Sequence, residues 1–320
     1  MLLRATASLF IATLLAGCGT FFTEKKGIDS VDMFYEGDAS AKAGLRATFF
    51  GTSTILITDG VNSIMIDGFF SRPSLFRLIR VRPDLKRIDF ALSKAPRKID
   101  AIFVAHSHYD HAMDSGLVAQ KTGAAIYGSE STLNIARGQN THPSQLHLLK
   151  KTQPVGAFRV TAIETPHSPQ AKYVGDIHQP VKPPAKLSDY RMGENFSFFL
   201  EHPLGNVLII PSATDELGST FNKYQANVVF LGIGTLGKQS CEFTETYWKE
   251  AVVSTGAKLV LPIHWDNFMK SLSKPLVPFP FFIDNPGVAV DRLRVMAERD
   301  RVQLNLPPSL HEFSLPALRD

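Results

Sequence analysis

The sequence predicts an α/β protein, and three observations carry that reading. Short apolar runs of strand character recur from Leu45 to Ile263, with helical stretches between them. Two β-branched runs, Thr54–Thr58 and Ser63–Ile66, flank Asp59-Gly60, a strong hairpin signal. Several apolar runs end in a histidine or an aspartate, so side chains able to do chemistry collect at strand ends, where a rigid scaffold aims them into a cleft.

The densest of these ends is His106-Ser107-His108-Tyr109-Asp110-His111. It follows the buried-strand run Ile99–Val104 and precedes a helical stretch over Ala112–Lys121. A lone histidine here would read as a helix cap. Four donor-type residues in the pattern His-x-His-x-Asp-His read as a metal-binding loop. Imidazole and carboxylate together suit zinc, and also iron or manganese. In an extended loop His106 and His108 point the same way, while Asp110 and His111 face the same space from the turn into the helix, a geometry that can feed two adjacent ions. The stretch resembles the signature of the metallo-β-lactamase superfamily. The resemblance implies a four-layer αββα sandwich and a set of further donors arriving in a fixed order.

Ahead of the folded part, residues 1–17 read as a signal peptide: Arg4, then the apolar run Leu9–Leu15, too short to span a bilayer comfortably. Leu15-Ala16-Gly17-Cys18 resembles a bacterial lipobox, which implies lipidation of Cys18 and a lipid-anchored protein of the bacterial cell envelope. Gly19 after the cysteine favours the outer membrane by the same resemblance. Residues 18–43 read as a polar tether and 44–320 as the hydrolase domain. The chain has two cysteines, so acylation of Cys18 leaves Cys241 without a partner, a small half-buried residue rather than a nucleophile. With 44% hydrophobic and 20% charged residues the chain is globular, and a net charge of +4 is too weak to imply nucleic acid.

The domain opens with Leu45–Phe50 and the hairpin, which ends in Asp67-Gly68. By resemblance, Asp67 supports the metal loop from behind. Phe69–Lys98 is an insertion in which Arg72, Arg77, Arg80 and Arg82 alternate with apolar residues. It reads either as a solvated basic face or as a patch for lipid phosphates or an anionic substrate. Ala124–Gly128 is a strand, and Glu130–Arg137 a helix that Gly138 would terminate. His142, His147 and His178 read as surface residues.

The strand Arg159–Pro166 delivers His167, and Ser168–Arg191 reads as a long loop over the cleft. Asn195–Leu200 and Val207–Ile210 form a second hairpin. The resemblance calls for an aspartate bridging two ions at its end, but Ser212-Ala213 occupy that place and Asp215 follows later. Asp215 is either a displaced ligand or a helix N-cap. Ala226–Gly234 is a buried strand, Glu242–Thr255 a helix, and Lys258–Ile263 the last core strand, ending in His264. Asp266 either orients a ligand or faces water. Pro275–Phe282 is an aromatic rim or lid, and Asp291–Arg299 a closing helix.

The resemblance, nearest to ascorbate-6-phosphate-lactonase-like and N-acyl-phosphatidylethanolamine-phospholipase-D-like members, implies a metal-dependent hydrolase with a metal-bound hydroxide as nucleophile. One ion would take His106, His108 and His167, the other Asp110, His111 and His264, with Asp110 also acting in catalysis. Two zinc ions are the expected cofactors. A phosphodiester, phospholipid or lactone-type ester is the expected substrate. A non-catalytic metal- or ligand-binding lipoprotein is the alternative.

Overall fold

Two seven-stranded sheets face each other, and the computed structural model describes them over residues 33–37, 44–75, 78–95 and 98–317. Cys18 and most of the tether lie outside the described residues. The first sheet begins with β1 (Arg46–Phe49), β2 (Ile55–Thr58) and β3 (Ser63–Ile66), an antiparallel meander. The β2–β3 turn forms as its Asp-Gly signal predicts. Asp59 Oδ1 accepts from the Val61 and Asn62 amides at 2.7 and 2.6 Å, and Gly60 takes a positive φ of 92°.

Helix α1 (Leu85–Leu92) then leads to β4 (Ala101–Phe103), which pairs parallel to β3. Short helices α2 (Tyr109–Ala112) and α3 (Ser115–Thr122) stand where the sequence predicts one helix. β5 (Ala125–Gly128), α4 (Glu130–Gly138) and β6 (Leu146–Leu148) complete that edge. Gly138 is the last helical residue rather than a terminator. A Cβ there would stand 1.9 Å from the Val181 carbonyl oxygen, so glycine admits the crossing loop.

The second sheet is built from β7 (Thr152–Val155), β8 (Phe158–Glu164), β9 (Phe196–Glu201), β10 (Val207–Ile210), β11 (Val228–Gly232), β12 (Leu259–Ile263) and β13 (Gln303–Leu304). β10 to β13 run parallel, covered by α5 (Cys241–Ala251) and α6 (Pro286–Asp300). After β13 the chain returns as β14 (Glu312–Ser314) to pair antiparallel with β1, closing the edge of the first sheet.

Burial alternates with the strand period. Ile55, Ile57, Ile64, Ile66 and Phe103 point between the sheets toward Phe198, Ile209 and Phe230, which share one face of the second sheet. Leu56, Met65 and Ile102 point outward beneath the helices with Val118 and Leu133. Both faces of the first sheet are therefore buried, and each such side chain contributes roughly 1.5–3 kcal/mol on burial. Helices, sheet, sheet and helices form the four layers that the family resemblance implies. Every strand that delivers a site residue ends at one end of this sandwich.

Candidate metal centre

At that end six donors converge in two groups. His106, His108 and His167 form one; Asp110, His111 and His264 form the other. Within each, the available donor atoms lie within 4.8 Å of one another. The ring centroids of His106 and His111 are 3.8 Å apart, so the groups adjoin. β4 ends three residues before His106, and the chain stays extended until His108, the N-cap of α2. The imidazole of His108 makes no cap bond, so the donor pattern is free of the capping role. The first turn of α2 then supplies Asp110 and His111.

Partners of the outer ring atoms decide which nitrogen each imidazole offers. His108 Nε2 lies 2.7 Å from the Lys172 carbonyl oxygen, which can only accept, so Nδ1 holds the free lone pair. His167 Nδ1 lies 3.1 Å from the Ser168 carbonyl, leaving Nε2. His111 Nδ1 lies 2.8 Å from Asp67 Oδ2, again leaving Nε2. Asp67 in turn accepts from the Ala105 amide at 2.8 Å and from the Ser53 hydroxyl, so the carboxylate ties the metal loop to the β1–β2 turn. Ser53 Oγ also lies 2.9 Å from His111 Nδ1.

The donors fit a metal on the structure's own terms. Both nitrogens of His106 are buried without a hydrogen-bond partner, whereas buried polar groups are normally satisfied. Burial lowers the pKa of His106 and His108, and holds that of His167 down at about 4. All three imidazoles are therefore neutral near pH 7, the form that binds metal. Asp110 sits with its Oδ2 3.5 Å from His264 Nε2 and 3.9 Å from His111 Nε2. Burial alone would raise its pKa, but His111, His264 and His108 outweigh it and hold the carboxyl well below its ordinary range. Burial likewise pulls His264 down, and the Asp110 carboxylate more than reverses this.

Asp215 is not brought to the centre. It is exposed and outside both groups, and Thr214 Oγ1, not Asp215, accepts from the Glu216 amide at 3.3 Å. The chain leaves β10 through Pro211 and buried Ser212-Ala213-Thr214, so the aspartate emerges only after the turn has left the strand ends. Ser212 lies between the His167 and His264 strands in sheet order, 3.5 Å from Asn195 Oδ1.

Four residues that the sequence left undefined brace the second group. Asp266 neither orients a ligand directly nor faces water. It is buried against the equally buried Arg72, in a salt bridge and hydrogen bond, and its Oδ1 accepts from the Thr52 amide at 2.7 Å. The Thr52 carbonyl accepts from the His264 amide at 2.6 Å. Thr52, Asp67, Arg72 and His264 all hold positive φ, between 44° and 62°. Such conformations cost about 1–3 kcal/mol each and persist where surrounding contacts impose them. Gly51 permits the packing, since a Cβ there would lie 2.5 Å from Arg72 Nη1 and 2.8 Å from Asp266 Oδ2.

A profile of the metallo-beta-lactamase superfamily matches residues 47–224, more than half of the chain. The chain belongs to that superfamily. It is 27% identical over 184 residues to a metal-dependent hydrolase of Myxococcus xanthus, a match covering 54% of this chain and 58% of that one. The chain spans about half the length of the curated relatives it matches. Among solved structures, an isothiocyanate hydrolase from Delia radicum gut bacteria shares the fold. It is 14% identical, with a TM-score of 0.54, covering 85% of this chain and 100% of that one. A possible metal-dependent hydrolase of Veillonella parvula is 12% identical with a TM-score of 0.52, over 85% and 100%.

Proposed function

We propose that the protein is a metal-dependent hydrolase, with one divalent ion on His106, His108 and His167 and a second on Asp110, His111 and His264. The observation that carries this is the pair of adjoining donor groups built around a buried imidazole with neither nitrogen partnered. Zinc suits the donor set, as do manganese and iron. Bound ions supply Lewis-acid charge, which favours ionised water as nucleophile and stabilises negative charge developing on the substrate.

The chain's own groups do the rest. Asp67 holds the proton on His111 Nδ1 and so turns Nε2 inward. The Lys172 and Ser168 carbonyls do the same for His108 and His167. Asp110, kept ionised by its imidazole neighbours, accepts a hydrogen bond from the attacking water and orients it.

A phosphodiester or phospholipid is the preferred substrate class, a lactone-type ester the runner-up. The cationic insertion and the exposed aromatic rim at the site support this. The placement nearest lactonase-like and phospholipase-like members, the lipid anchor on Cys18 and residence at the outer membrane belong to the same reading and rest on the sequence. Metal content by plasma mass spectrometry tests it, together with turnover of bis(p-nitrophenyl) phosphate and a γ-lactone. Two ions with turnover support the hydrolase. Bound ions without turnover of either support the non-catalytic binder, and no ions after reconstitution with zinc, manganese or iron overturn both.

A further inference from the structure

We infer that the loops flanking the metal centre form a surface that docks on an anionic lipid bilayer, with the opening of the site turned toward it. Large apolar side chains stand in solvent in these loops: Ile79 is 85% exposed, Val174 60%, Phe281 76% and Phe282 69%. Isolated exposed apolar residues need no explanation, but their concentration around one opening does.

Two sets of contacts tie these loops to the donors. On one side, Lys172 bonds His108, and the next residue, Tyr173, lines a cavity of about 260 Å³ together with Ile79, Arg80 and Lys186. On the other side, Phe268 packs on His264 at 5.5 Å and on Phe279 at 4.8 Å, and the Asn267 amide donates to the Val277 carbonyl at 2.7 Å. Phe279 is buried, so it anchors the rim while Phe281 and Phe282 project.

The charges name the occupant. Arg80, Arg82, Lys172, Lys186, Lys270 and Lys274 are exposed in the same loops, and no ion pair among the described residues takes any of them. The stretches 78–82, 172–174 and 268–283 contain no carboxylate, and in the loop 168–191 Asp176 and Asp189 are outnumbered by Lys172, Lys182, Lys186 and Arg191. Exposed aromatic and aliphatic side chains interleaved with unpaired cations are the chemistry of an interface with anionic headgroups. A hydrophobic protein partner would not call for that excess of cations. The apolar leader ending in Cys18 supplies the reason for a membrane to be near. This goes beyond an anchor: an anchor holds the chain at a membrane, whereas this surface decides which face meets it. It does not depend on the bond cleaved at the metal centre.

The test uses Phe281→Trp, Ile79→Trp and, as a remote control, Val253→Trp in the full chain. Native Trp248 and Trp265 are buried, so their constant background is subtracted with the unsubstituted protein. Each variant is mixed with phosphatidylglycerol–phosphatidylcholine vesicles carrying brominated acyl chains. A ring seated about 5–10 Å into the headgroup boundary is expected to lose roughly half its emission at positions 281 and 79, and almost none at 253. The loss should shrink with added salt and on vesicles of phosphatidylcholine alone. No quenching at 281 and 79 in vesicle-bound protein means that the leader alone holds the chain, and overturns the proposal. Equal quenching at all three positions, or quenching indifferent to phosphatidylglycerol, also overturns it. Metal content measured alongside is untouched by failure of the docking surface, so the two readings fall separately.

Discussion

The two donor groups sit side by side but are held by different means. His108 and His167 are oriented by main-chain carbonyls of the loop after β8, and His106 by burial alone. His111 and His264 are oriented by buried carboxylates, Asp67 behind His111 and Asp266 with Arg72 behind the backbone of His264, while Asp110 lies against both imidazoles. Main-chain support is indifferent to side-chain identity, whereas carboxylate support fails when one atom changes. The second group is therefore the fragile one, although it holds the only negative donor of the six.

The largest effects come from the donors themselves. Replacing His106 or His108 with alanine should empty the first group and bring turnover to background, with the far-ultraviolet circular dichroism unchanged. Full turnover in a folded, metal-loaded variant would break the assignment. Asp215→Ala should leave metal content as it was, because that carboxylate lies outside both groups. An ion lost there would show that the loop after β10 rearranges to reach the centre.

Next comes the brace. Asp266→Leu leaves the guanidinium of Arg72 buried and unpaired, at a cost of about 3–5 kcal/mol in urea unfolding. The ion at His264 should be lost while the one on the three histidines stays. Loss of both ions, or of neither, would erase the contrast between the groups. Asp67→Ala should weaken metal binding by about 10–100-fold, again at the second group, as read by chelator competition. At the small end, Lys172→Ala removes a side chain but keeps the carbonyl on His108, and stability should move by no more than about 0.5 kcal/mol.

Acid separates the groups in metal-stripped protein. Folding holds the pKa of His167 at about 4 against an ordinary 6.5, so the unfolded chain binds the extra proton first. Stability should therefore fall as pH drops from about 6.5 toward 4, followed by the urea midpoint. His264 has the opposite sign: its raised pKa contributes stability at low pH that is lost as pH rises through the folded value. Substituting His167 with Gln should flatten the acid limb, and a limb unchanged by it would assign the effect elsewhere.

The donor pattern at His106–His111 and the hairpins were legible because each rests on local spacing, a period of two in the strands, a tight turn, a strand end; the order of the later donors came from the family resemblance. The brace was not. Arg72 and Asp266 are 194 residues apart, and Arg72 opens a run of arginines in which Arg80 and Arg82 face solvent. No periodicity separates the buried guanidinium of Arg72 from exposed Arg80 and Arg82. The fate of Asp215 was equally hidden, since the turn after β10 decides it. β6, β7, β13 and β14 escaped because they are edge strands of two to four residues, and β7 carries Pro154. The closing helix begins five residues before the stretch that marked it, at Pro286 after the Asn285 cap.

β14 has a consequence for how the molecule comes into being. Arg46, near the start of the first sheet, pairs with Ser314, near the end of the chain. The two partners are 268 residues apart, and until Ser314 has been made β1 offers an unpaired backbone on that side to any passing strand. Loop closure over so long a separation is slow. The first sheet is thus completed by a segment made after every other described strand, and its β1 margin stays open until β14 docks.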